Sequence, residues 1–336
     1  MEYSGKVKKV YILVLNWNGW RDTIECLESV FRIEYPNYQV VVCDNNSSDG
    51  SIENLMSWAD GDLKSSVSES SPLQQLTFPS IPKPLTYAFC NRDDAESINP
   101  GRKTYPLTLI QTGENLGFAG GNNVGLRYIQ ALGDGDYAWL LNNDTVVKPD
   151  SLGWMVKRME GHPRAGICGS FIPYYHDPNK IWTSGGGVYN QWLAKSRSID
   201  VGKQVYEAST REDVENKMFY VAGASMLVRT SFLKDVGLMN EEYFLYFEET
   251  DWSIRGMKHY SLAYAPESVV YHKVGASTDS KVTMYYMFRN QLLFTKKYFP
   301  EAYFIVYVRV IINRFKYRCR LLLKKLYYYL RGTGIF

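Results

Sequence analysis

The chain has 336 residues, of which 45% are hydrophobic, 15% aromatic and 22% charged, so it can bury a large core and is not disordered over most of its length. Its formal net charge of +3 excludes the strong basicity of a dedicated nucleic-acid-binding protein, and we expect no nucleic-acid partner. The five cysteines are scattered without a C-x-x-C pair, which indicates a reducing compartment rather than a disulfide framework or a zinc site.

The N-terminal part of the chain predicts a strand, a helix and a second strand. Residues 10–15 and 39–43 are short, continuous apolar runs, which are typical of buried parallel strands. Residues 22–32 between them carry apolar side chains at helical spacing. The sequence therefore predicts the start of an α/β sheet.

Residues 60–105 interrupt this pattern with Ser, Pro, Asn and charged residues, and we predict an inserted surface loop there. The pattern resumes with a predicted strand at 107–111, a glycine-rich turn, a helix at 123–131 and a strand at 137–141. That last strand leads directly into Asn142-Asn143-Asp144.

Two predicted strands are followed by an aspartate, Asp44 and Asp144, and ligands of open parallel sheets bind at the carboxyl ends of strands. Asp44 is suited to accept a ring N–H of a pyrimidine base, although a turn aspartate has the same pattern. Asp144 is suited to coordinate Mg²⁺ or Mn²⁺, and His272, after a predicted strand at 268–271, is a second candidate ligand that favours Mn²⁺. Structural roles are the alternative for both residues.

The turn GENLGFAGGNN, residues 113–123, contains the candidate nucleotide-binding residues Asn115 and Gly117. Its glycines allow a backbone to approach a phosphate, or simply allow a tight helix entry. The spacing matches neither the dinucleotide fingerprint nor the P-loop, so an oxidoreductase on a doubly wound sheet is disfavoured.

The segment EETD after YFLYF places Glu248, Glu249 and Asp251 beside bulky aromatic residues. Clustered carboxylates in such surroundings have raised pKa values, as a general base near neutral pH requires. Alternatively these acids mark a helix N-terminus, and Arg255 pairs with Asp251 four residues earlier.

Eight segments in order resemble the inverting glycosyltransferases of family 2, most closely the bacterial-type rhamnosyltransferase branch. They are VLNWNG, VVCDNNSSDGS, ENLGFAGGNN, LLNNDT, GASMLVR, YFLYFEETDWSIR, VVYHKVGAST and FRNQLLF, and the resemblance as a whole spans residues 8–299. The resemblance implies an α/β, Rossmann-like A-type glycosyltransferase fold with a mixed central sheet. It implies a catalytic domain at 1–301, with a nucleotide-binding half at about 1–150 and an acceptor half at about 151–301.

The resemblance also implies a role for individual residues. Asp44 matches the base-recognition aspartate, and Asp144 the last acid of the family's D-x-D motif, so it would hold the metal with the late histidine, His272. Glu249 takes the position of the catalytic base, with Glu248 and Asp251 as alternatives. Further nucleotide contacts would come from Leu15, Asn16, Trp17, Asn142, Asn143 and, at the diphosphate, Arg289.

The implied function is inverting, Mn²⁺- or Mg²⁺-dependent transfer of a sugar, with L-rhamnose from dTDP-rhamnose as the leading hypothesis. The acceptor would be a glycan or a polyprenyl-diphosphate-linked glycan in cell-surface polysaccharide synthesis. The alternatives are galactofuranosyl or hexosaminyl transfer from a UDP donor and a noncatalytic glycan-binding homologue. An oligomer is left open.

Residues 302–336 contain eight Lys and Arg side chains and no acid, alternating with bulky apolar residues. This pattern predicts a basic, aromatic helical tail that either packs on the protein or lies on an anionic membrane surface. The sequence shows neither a signal peptide nor the ~18 apolar residues of a membrane span. We therefore expect a cytoplasmic protein that is peripheral on the inner face of the cytoplasmic membrane.

Overall fold

The computed structural model describes residues 6–64, 71–97, 105–274 and 280–330. It forms two compact units, the first from Met1–Val188 and Arg197–Thr278 and the second from Tyr189–Ser196 and Asp279–Phe336. The division lies at Thr278, whereas the sequence suggested a boundary at residue 301. The difference arises because the helix before residue 301 packs against the tail helix.

The strands follow in chain order. They are β1 (Val10–Asn16), β2 (Tyr38–Asp44), β3 (Tyr87–Asn91), β4 (Leu107–Gln111), β5 (Tyr137–Asn142), β6 (Thr145–Val147), β7 (Ala165–Pro173), β8 (Ile181–Ser184), β9 (Gly186–Asn190), β10 (Lys195–Ser198), β11 (Tyr220–Val221), β12 (Ser225–Arg229) and β13 (Ser261–His272).

The α-helices are α1 (Trp20–Val30), α2 (Ser51–Asp60), α3 (Arg92–Glu96), α4 (Gly117–Leu132), α5 (Ser151–Glu160), α6 (Arg211–Lys217), α7 (Thr230–Asp235), α8 (Glu248–Gly256), α9 (Ser280–Tyr298) and α10 (Tyr303–Leu330). Short 3₁₀ turns occur at Gln74–Leu76, Val205–Glu207 and Pro300–Ala302.

The first unit is built on a mixed sheet with the strand order β3-β4-β2-β1-β5-β12-β7-β13-β6, and β8 pairs with β7. The five strands from β3 to β5 are parallel, whereas β12 runs antiparallel to both of its neighbours. The predicted α/β fold class with a mixed central sheet is therefore confirmed.

Both faces of the sheet are covered, which explains the continuous apolar runs in the strands. In β1, Val10, Ile12 and Val14 enter one hydrophobic cluster while Tyr11 and Leu13 enter the other. Because alternate side chains of a strand point to opposite faces, a run without polar interruption is required here.

The inserted segment is more ordered than a surface loop. The prediction for residues 60–105 is wrong at β3, which pairs in parallel with β4 at the edge of the sheet, and at α3, which follows β3 directly. The strand of this segment is short and the composition is polar, so its sequence shows no recognisable hydrophobic period.

A buried carboxylate on α1 holds this segment. Glu28 is fully buried, and its carboxylate accepts hydrogen bonds from the indole of Trp58 at 2.9 Å and from the backbone N–H of Ile81 at 2.8 Å. The ammonium of Lys83 and the guanidinium of Arg32 lie 3.7 Å from it. The insertion is thereby joined to the first helix of the sheet.

Replacing Glu28 by alanine removes the acceptor for these donors and leaves the amine of Lys83 without its counter-charge. We expect a loss of about 3–5 kcal/mol in the free energy of unfolding, measured by urea denaturation. Glu53→Ala, at an exposed position of α2, is the matched control and should change stability by less than about 0.5 kcal/mol. Equal stability of the two variants would contradict this role for Glu28.

Candidate functional site

The candidate site lies where β1, β2, β4 and β5 end. These strands are parallel and in register, so Asn16 aligns with Asp44, Asp44 with Gln111, and Leu15 with Asn142. The polar residues that follow the apolar runs therefore meet at one edge of the sheet, as open parallel sheets require.

Asp44 is fully buried and accepts four hydrogen bonds. Its Oδ1 accepts from Asn16 Nδ2 at 2.7 Å and from Ser47 Oγ at 2.6 Å, and its Oδ2 accepts from the Ser47 backbone N–H at 3.0 Å and from Gln111 Nε2 at 3.1 Å. A carboxylate has about four acceptor positions, so a ligand N–H would have to displace one of these donors to reach Asp44. Gln111 is the most readily displaced because its bond is the longest and its side chain is only half-buried.

Asn16 and Asn143 belong to a network with helix α1. Thr23 Oγ1 donates to Asn16 Oδ1 at 2.7 Å, and Asn143 Nδ2 donates to Thr23 Oγ1 at 3.1 Å. A Cβ at Gly19 would lie 2.8 Å from Asn143 Nδ2, so a larger residue there would displace that amide. The amide nitrogen of Asn143 is thus hydrogen-bonded within the protein, and the indole of Trp17 nearby in the chain is exposed.

The glycine-rich turn is organised by Asn45. Asn45 Nδ2 donates to Asn115 Oδ1 at 3.0 Å and to the Gly117 carbonyl at 3.1 Å. Gly117 has φ +70°, and a Cβ there would lie 2.2 Å from the Phe244 carbonyl, which accepts a hydrogen bond from the Phe118 N–H. Backbone N–H and carbonyl groups of this turn are therefore hydrogen-bonded within the protein.

Helix α4 begins at Gly117, six residues before the predicted start. Its glycines let it lie close to β1, because a Cβ at Gly121 would approach Leu15 Cδ1 to 2.5 Å and one at Gly125 would approach Leu13 Cδ1 to 2.2 Å. These glycines serve helix–strand packing, so the prediction that the turn extends to residue 123 is wrong.

Asp144 and His272, the two candidate metal ligands, lie in contact with each other. His272 Nε2 lies 3.1 Å from Asp144 Oδ1, because β13 runs antiparallel to β6 and pairs His272 with Thr145. Burial by itself raises the pKa of Asp144, but the hydrogen bond and the charge of His272 outweigh it and lower that pKa below its usual value. Asp144 is therefore ionised over the physiological pH range.

This pair fits a divalent cation. Neighbouring ligands of an octahedral Mg²⁺ or Mn²⁺ ion with bonds of about 2.1 Å are about 3 Å apart, close to the observed separation. The remaining His272 ring nitrogen, Nδ1, is buried and has no hydrogen-bond partner among the described residues. Those residues contain no cluster of three or more His, Cys, Asp or Glu that could hold a metal.

Lys273 fixes the position of this pair. Its backbone N–H donates to the Asp144 carbonyl at 3.0 Å, and its ammonium pairs with Glu25 at 2.6 Å and with Asp22, both on α1. The ends of β5 and β13 are thus tied to the same helix that binds Asn16.

Glu248 and Glu249 lie in the first turn of α8, after two residues of positive φ, Tyr246 at +70° and Phe247 at +77°. The two carboxyl groups are hydrogen-bonded to each other, and neither Oε2 atom has a hydrogen-bond partner among the described residues. Burial and the neighbouring Glu249 charge raise the pKa of Glu248 well above its usual value, and burial raises that of Glu249 to about 6. Both carboxyl groups therefore have raised pKa values, and the pair retains a proton more readily than two isolated glutamates would.

Asp251 has a different environment. It is fully buried, and Arg255 Nε lies 2.7 Å from its carboxylate while the same guanidinium donates to the Val236 and Leu238 carbonyls. This ion pair, the alternative considered from the sequence, gives Asp251 a structural role and removes it from the candidate bases.

The site residues form three groups in the first unit. The structure brings together Asn16, Asp44 and Asn143 in one network and Asp144 with His272 in a pair, while Glu248 and Glu249 form a separate pair. Arg289 lies on α9 of the second unit, and its place in the nucleotide site stays a prediction. The sequence analysis missed Ser47, Thr23, Asn45 and Gln111, although Gln111 ends a predicted strand and could have been found by aligning the strand ends.

Comparison with known proteins assigns the chain to a family. The profile of Glycosyl transferase family 2 matches residues 11–70 and 92–237, more than half of the chain. The chain belongs to glycosyl transferase family 2. The segment at 71–91, left unmatched, is the part that Glu28 anchors.

A relative of this family 2 chain is the N-acetylglucosaminyl-diphospho-decaprenol L-rhamnosyltransferase of Mycobacterium tuberculosis, 27% identical over 197 residues, which are 52% of this chain and 61% of the relative. The chain thus matches about three fifths of the length of that relative.

Two solved structures are similar in fold. GalNAc-T7 with UDP, GalNAc and Mn²⁺ has a TM-score of 0.54 and 13% identity over 80% of this chain and 44% of its own. The mannosyltransferase PcManGT from Pyrobaculum calidifontis, with GDP-Man and Mn²⁺, has a TM-score of 0.51 and 14% identity over 96% and 80%. At these identities the likeness concerns the fold, and it confirms the A-type glycosyltransferase architecture.

Replacing Asp44 by alanine should weaken binding of dTDP by roughly 10- to 150-fold, because a hydrogen bond to a charged acceptor contributes about 1.5–3 kcal/mol. Isothermal titration calorimetry measures the effect. The control is Asp49→Ala in the same turn, at an exposed position. Unchanged dTDP affinity in a folded Asp44→Ala protein would exclude Asp44 from the base pocket.

Replacing Asp144 by alanine should abolish Mn²⁺ binding, measured by electron paramagnetic resonance in the presence of a nucleoside diphosphate, while the circular dichroism spectrum stays unchanged. The reason is that Asp144 supplies the only carboxylate of the described ligand pair. Asp62→Ala, at an exposed position, serves as the control. Mn²⁺ binding by Asp144→Ala equal to that of the unaltered protein would refute the assignment.

Proposed function

We propose that this protein is an inverting glycosyltransferase that moves a sugar from a nucleotide donor to an acceptor hydroxyl. The observation that carries the proposal is the pair of adjoining carboxyl groups at the start of α8, in which the pKa of Glu248 is raised and that of Glu249 is raised to about 6. A carboxylate with that pKa accepts a proton efficiently near neutral pH. Because all the acids of the site are present, a noncatalytic glycan-binding role has no support.

The proposed reaction needs one displacement. Glu249 removes the proton of the acceptor hydroxyl as its oxygen attacks the anomeric carbon, and the bond from that carbon to the diphosphate oxygen breaks. A divalent ion held by Asp144 and His272 would supply positive charge to the leaving diphosphate. Asp44 orients the donor by accepting its base N–H, and Trp17 covers the nucleotide rim.

We further propose L-rhamnose from dTDP-rhamnose as the donor group and a polyprenyl-diphosphate-linked glycan as the acceptor. The support is the printed name of the mycobacterial relative, at 27% identity. UDP donors of galactofuranose or a hexosamine remain the second candidate, because uracil and thymine present the same ring N–H to Asp44.

A donor screen tests the function directly. With Mn²⁺ present, the protein should release dTDP from dTDP-rhamnose faster than UDP from UDP-galactofuranose or UDP-N-acetylglucosamine. A preference for either UDP sugar would reassign the donor. Failure to hydrolyse or transfer any of the three would overturn the enzymatic proposal.

Replacing Glu249 by glutamine should lower transfer by about 10²–10⁴-fold with nucleotide affinity nearly unchanged, because the amide keeps the volume but cannot accept a proton. In the unaltered enzyme kcat should fall as the pH decreases below about 6, where Glu249 becomes protonated. Glu248→Gln is the matched control, since an amide resembles the protonated acid. If Glu248→Gln loses activity and Glu249→Gln does not, Glu248 is the base.

We also propose that α10 lies on an anionic membrane. None of the described helices combines the length and the apolar character needed to cross a bilayer. One face of α10 is exposed and apolar, with large side chains at helical spacing, namely Phe304, Val308, Ile311, Phe315 and Leu322. The helix also carries Arg and Lys side chains, each contributing about 1 kcal/mol near an anionic surface, so we expect attachment at the inner face of the cytoplasmic membrane.

The protein should sediment with vesicles of phosphatidylglycerol and phosphatidylcholine, but not with phosphatidylcholine alone, and high salt should release it. The triple variant Phe304→Ser/Ile311→Ser/Phe315→Ser should lose this binding, because it removes the apolar area that enters the headgroup boundary. Tyr206→Ser, at a tyrosine that is 83% exposed in the first unit, is the control. Equal sedimentation of both variants would assign the α10 face another role.

A further inference from the structure

The stretch of chain between α7 and α8, residues 236–247, leads directly to the carboxyl pair of Glu248 and Glu249. All of its residues are described, and none belongs to a helix or a strand. We name it the α7–α8 segment. Because no ladder of backbone hydrogen bonds holds this segment, its position depends on contacts with the neighbouring elements.

Asn123 of α4 binds the backbone of the α7–α8 segment. Its Nδ2 donates to the Met239 carbonyl at 2.9 Å, and its Oδ1 accepts from the Met239 N–H at 3.1 Å. The same nitrogen donates to Glu241 Oε1 at 2.8 Å. Asn123, which is 1% exposed, therefore satisfies both backbone groups of one residue, as a paired residue of a neighbouring strand would.

Two further contacts join α4 to the segment. The Phe118 N–H donates to the Phe244 carbonyl at 2.7 Å, and Arg127 Nη1 pairs with Glu241 Oε1 at 3.1 Å. These contacts lie on both sides of Asn123 along α4. The helix therefore fixes the segment at several points rather than at one.

Helix α8 holds the beginning of the same segment. Trp252 Nε1 donates to the Gly237 carbonyl at 2.8 Å. The guanidinium of Arg255 donates to the carbonyls of Val236 and Leu238, each at 2.7 Å. The segment is thus bound by α8 as well as by α4, and it connects the two helices.

The end of the segment is strained. Tyr246 and Phe247 have φ values of +70° and +77°, a region that residues with a side chain rarely adopt, and Glu248 follows them directly. Such a conformation costs free energy and persists only where the surrounding structure imposes it. If the segment were released from α4, these two residues could return to negative φ, and the first turn of α8 would reorient with Glu249.

We propose that Asn123 is a positioning residue for the base: it fixes the α7–α8 segment on α4 and thereby sets the direction of the Glu249 carboxylate. The inference rests on the proposed function, in which Glu249 is the base. Asn123 acts through the segment and not on the substrate. Helix α4 begins in the turn that Asn45 binds, next to Asp44, so one helix connects the predicted base pocket with the proton acceptor.

Hydrogen–deuterium exchange tests whether Asn123 fixes the segment. Asn123→Asp keeps the volume but places an oxygen against the Met239 carbonyl and the Glu241 carboxylate, so amides of residues 236–247 should exchange at least tenfold faster. Asn122→Asp is the matched control, because it makes the same change at a neighbouring buried residue whose Nδ2 donates within α4, to the Phe118 carbonyl at 2.9 Å. It should change exchange in the segment less than twofold. Unaltered exchange in Asn123→Asp would contradict the proposal.

Donor hydrolysis tests whether the segment positions the base. With Mn²⁺ and dTDP-rhamnose, Asn123→Asp should lower kcat by about 10- to 100-fold, because a small displacement of a reacting group is enough for such a loss. The KM for the donor and the affinity for dTDP should stay within twofold, and kcat of Asn122→Asp within threefold. A raised KM with unaltered kcat would assign Asn123 to donor binding and overturn the proposal. Equal losses of kcat in both variants would also overturn it, since they would indicate general damage to α4.

Glu241→Ala is a second, milder variant in case Asn123→Asp does not fold. It removes the outer contact at an exposed residue, while Arg127 retains its bond to Glu96 and Met239 its bonds to Asn123. We expect kcat to fall by about three- to tenfold with KM unaltered. Unaltered kcat in both variants would refute the positioning role and leave the enzymatic function standing. Failure of the unaltered protein to hydrolyse any nucleotide sugar would instead overturn the proposed function, and with it the base that Asn123 is proposed to position.

Discussion

The organisation of the site depends on the buried carboxylate of Asp44. It accepts hydrogen bonds from residues at the ends of β1 and β4 and from the turn after β2, so one carboxyl group joins three strand ends. Burying a polar group is costly unless its acceptor positions are satisfied, and here four donors satisfy them. A nucleotide that bonds to Asp44 would have to displace one of these donors.

The pKa values of the remaining carboxyl groups differ because their environments differ. Asp144 faces an imidazole, and its pKa is lowered, so it suits a permanent negative charge beside a cation. The Glu249 carboxyl group lies beside that of Glu248, and burial raises its pKa to about 6, so it suits proton transfer. Environments that shift two carboxyl pKa values in opposite directions are the usual means by which a site divides such roles. The aspartate is held by the ends of β5 and β13, whereas the glutamates follow a backbone turn of positive φ.

The sequence predicted those features that depend on residue type and short periods. The buried strands and the terminal residues Asp44 and Asp144 follow from apolar runs that end in polar turns, and the Asp251–Arg255 pair follows from a spacing of four. Prediction from the sequence failed where long-range packing decides the local structure. Helix α4 begins early because its glycines meet leucines of β1, and the edge strand β3 forms because β4 offers a partner. The hydrogen bonds that Gln111 and Thr23 donate can be identified only once the strand ends are aligned in space.

The contact of Glu28 with the insertion affects how this chain can be redesigned. Two of its partners, the N–H of Ile81 and the amine of Lys83, belong to the segment that the family profile does not match, whereas Trp58 and Arg32 belong to the matched scaffold. A shortened chain that lacks this segment would retain a carboxylate with half of its partners, beneath a surface that is no longer covered. Excision therefore calls for an apolar residue at position 28, and grafting the segment onto a related scaffold calls for a glutamate there. The helix and the insertion behave as one transferable module, although more than forty residues separate their contacts along the chain.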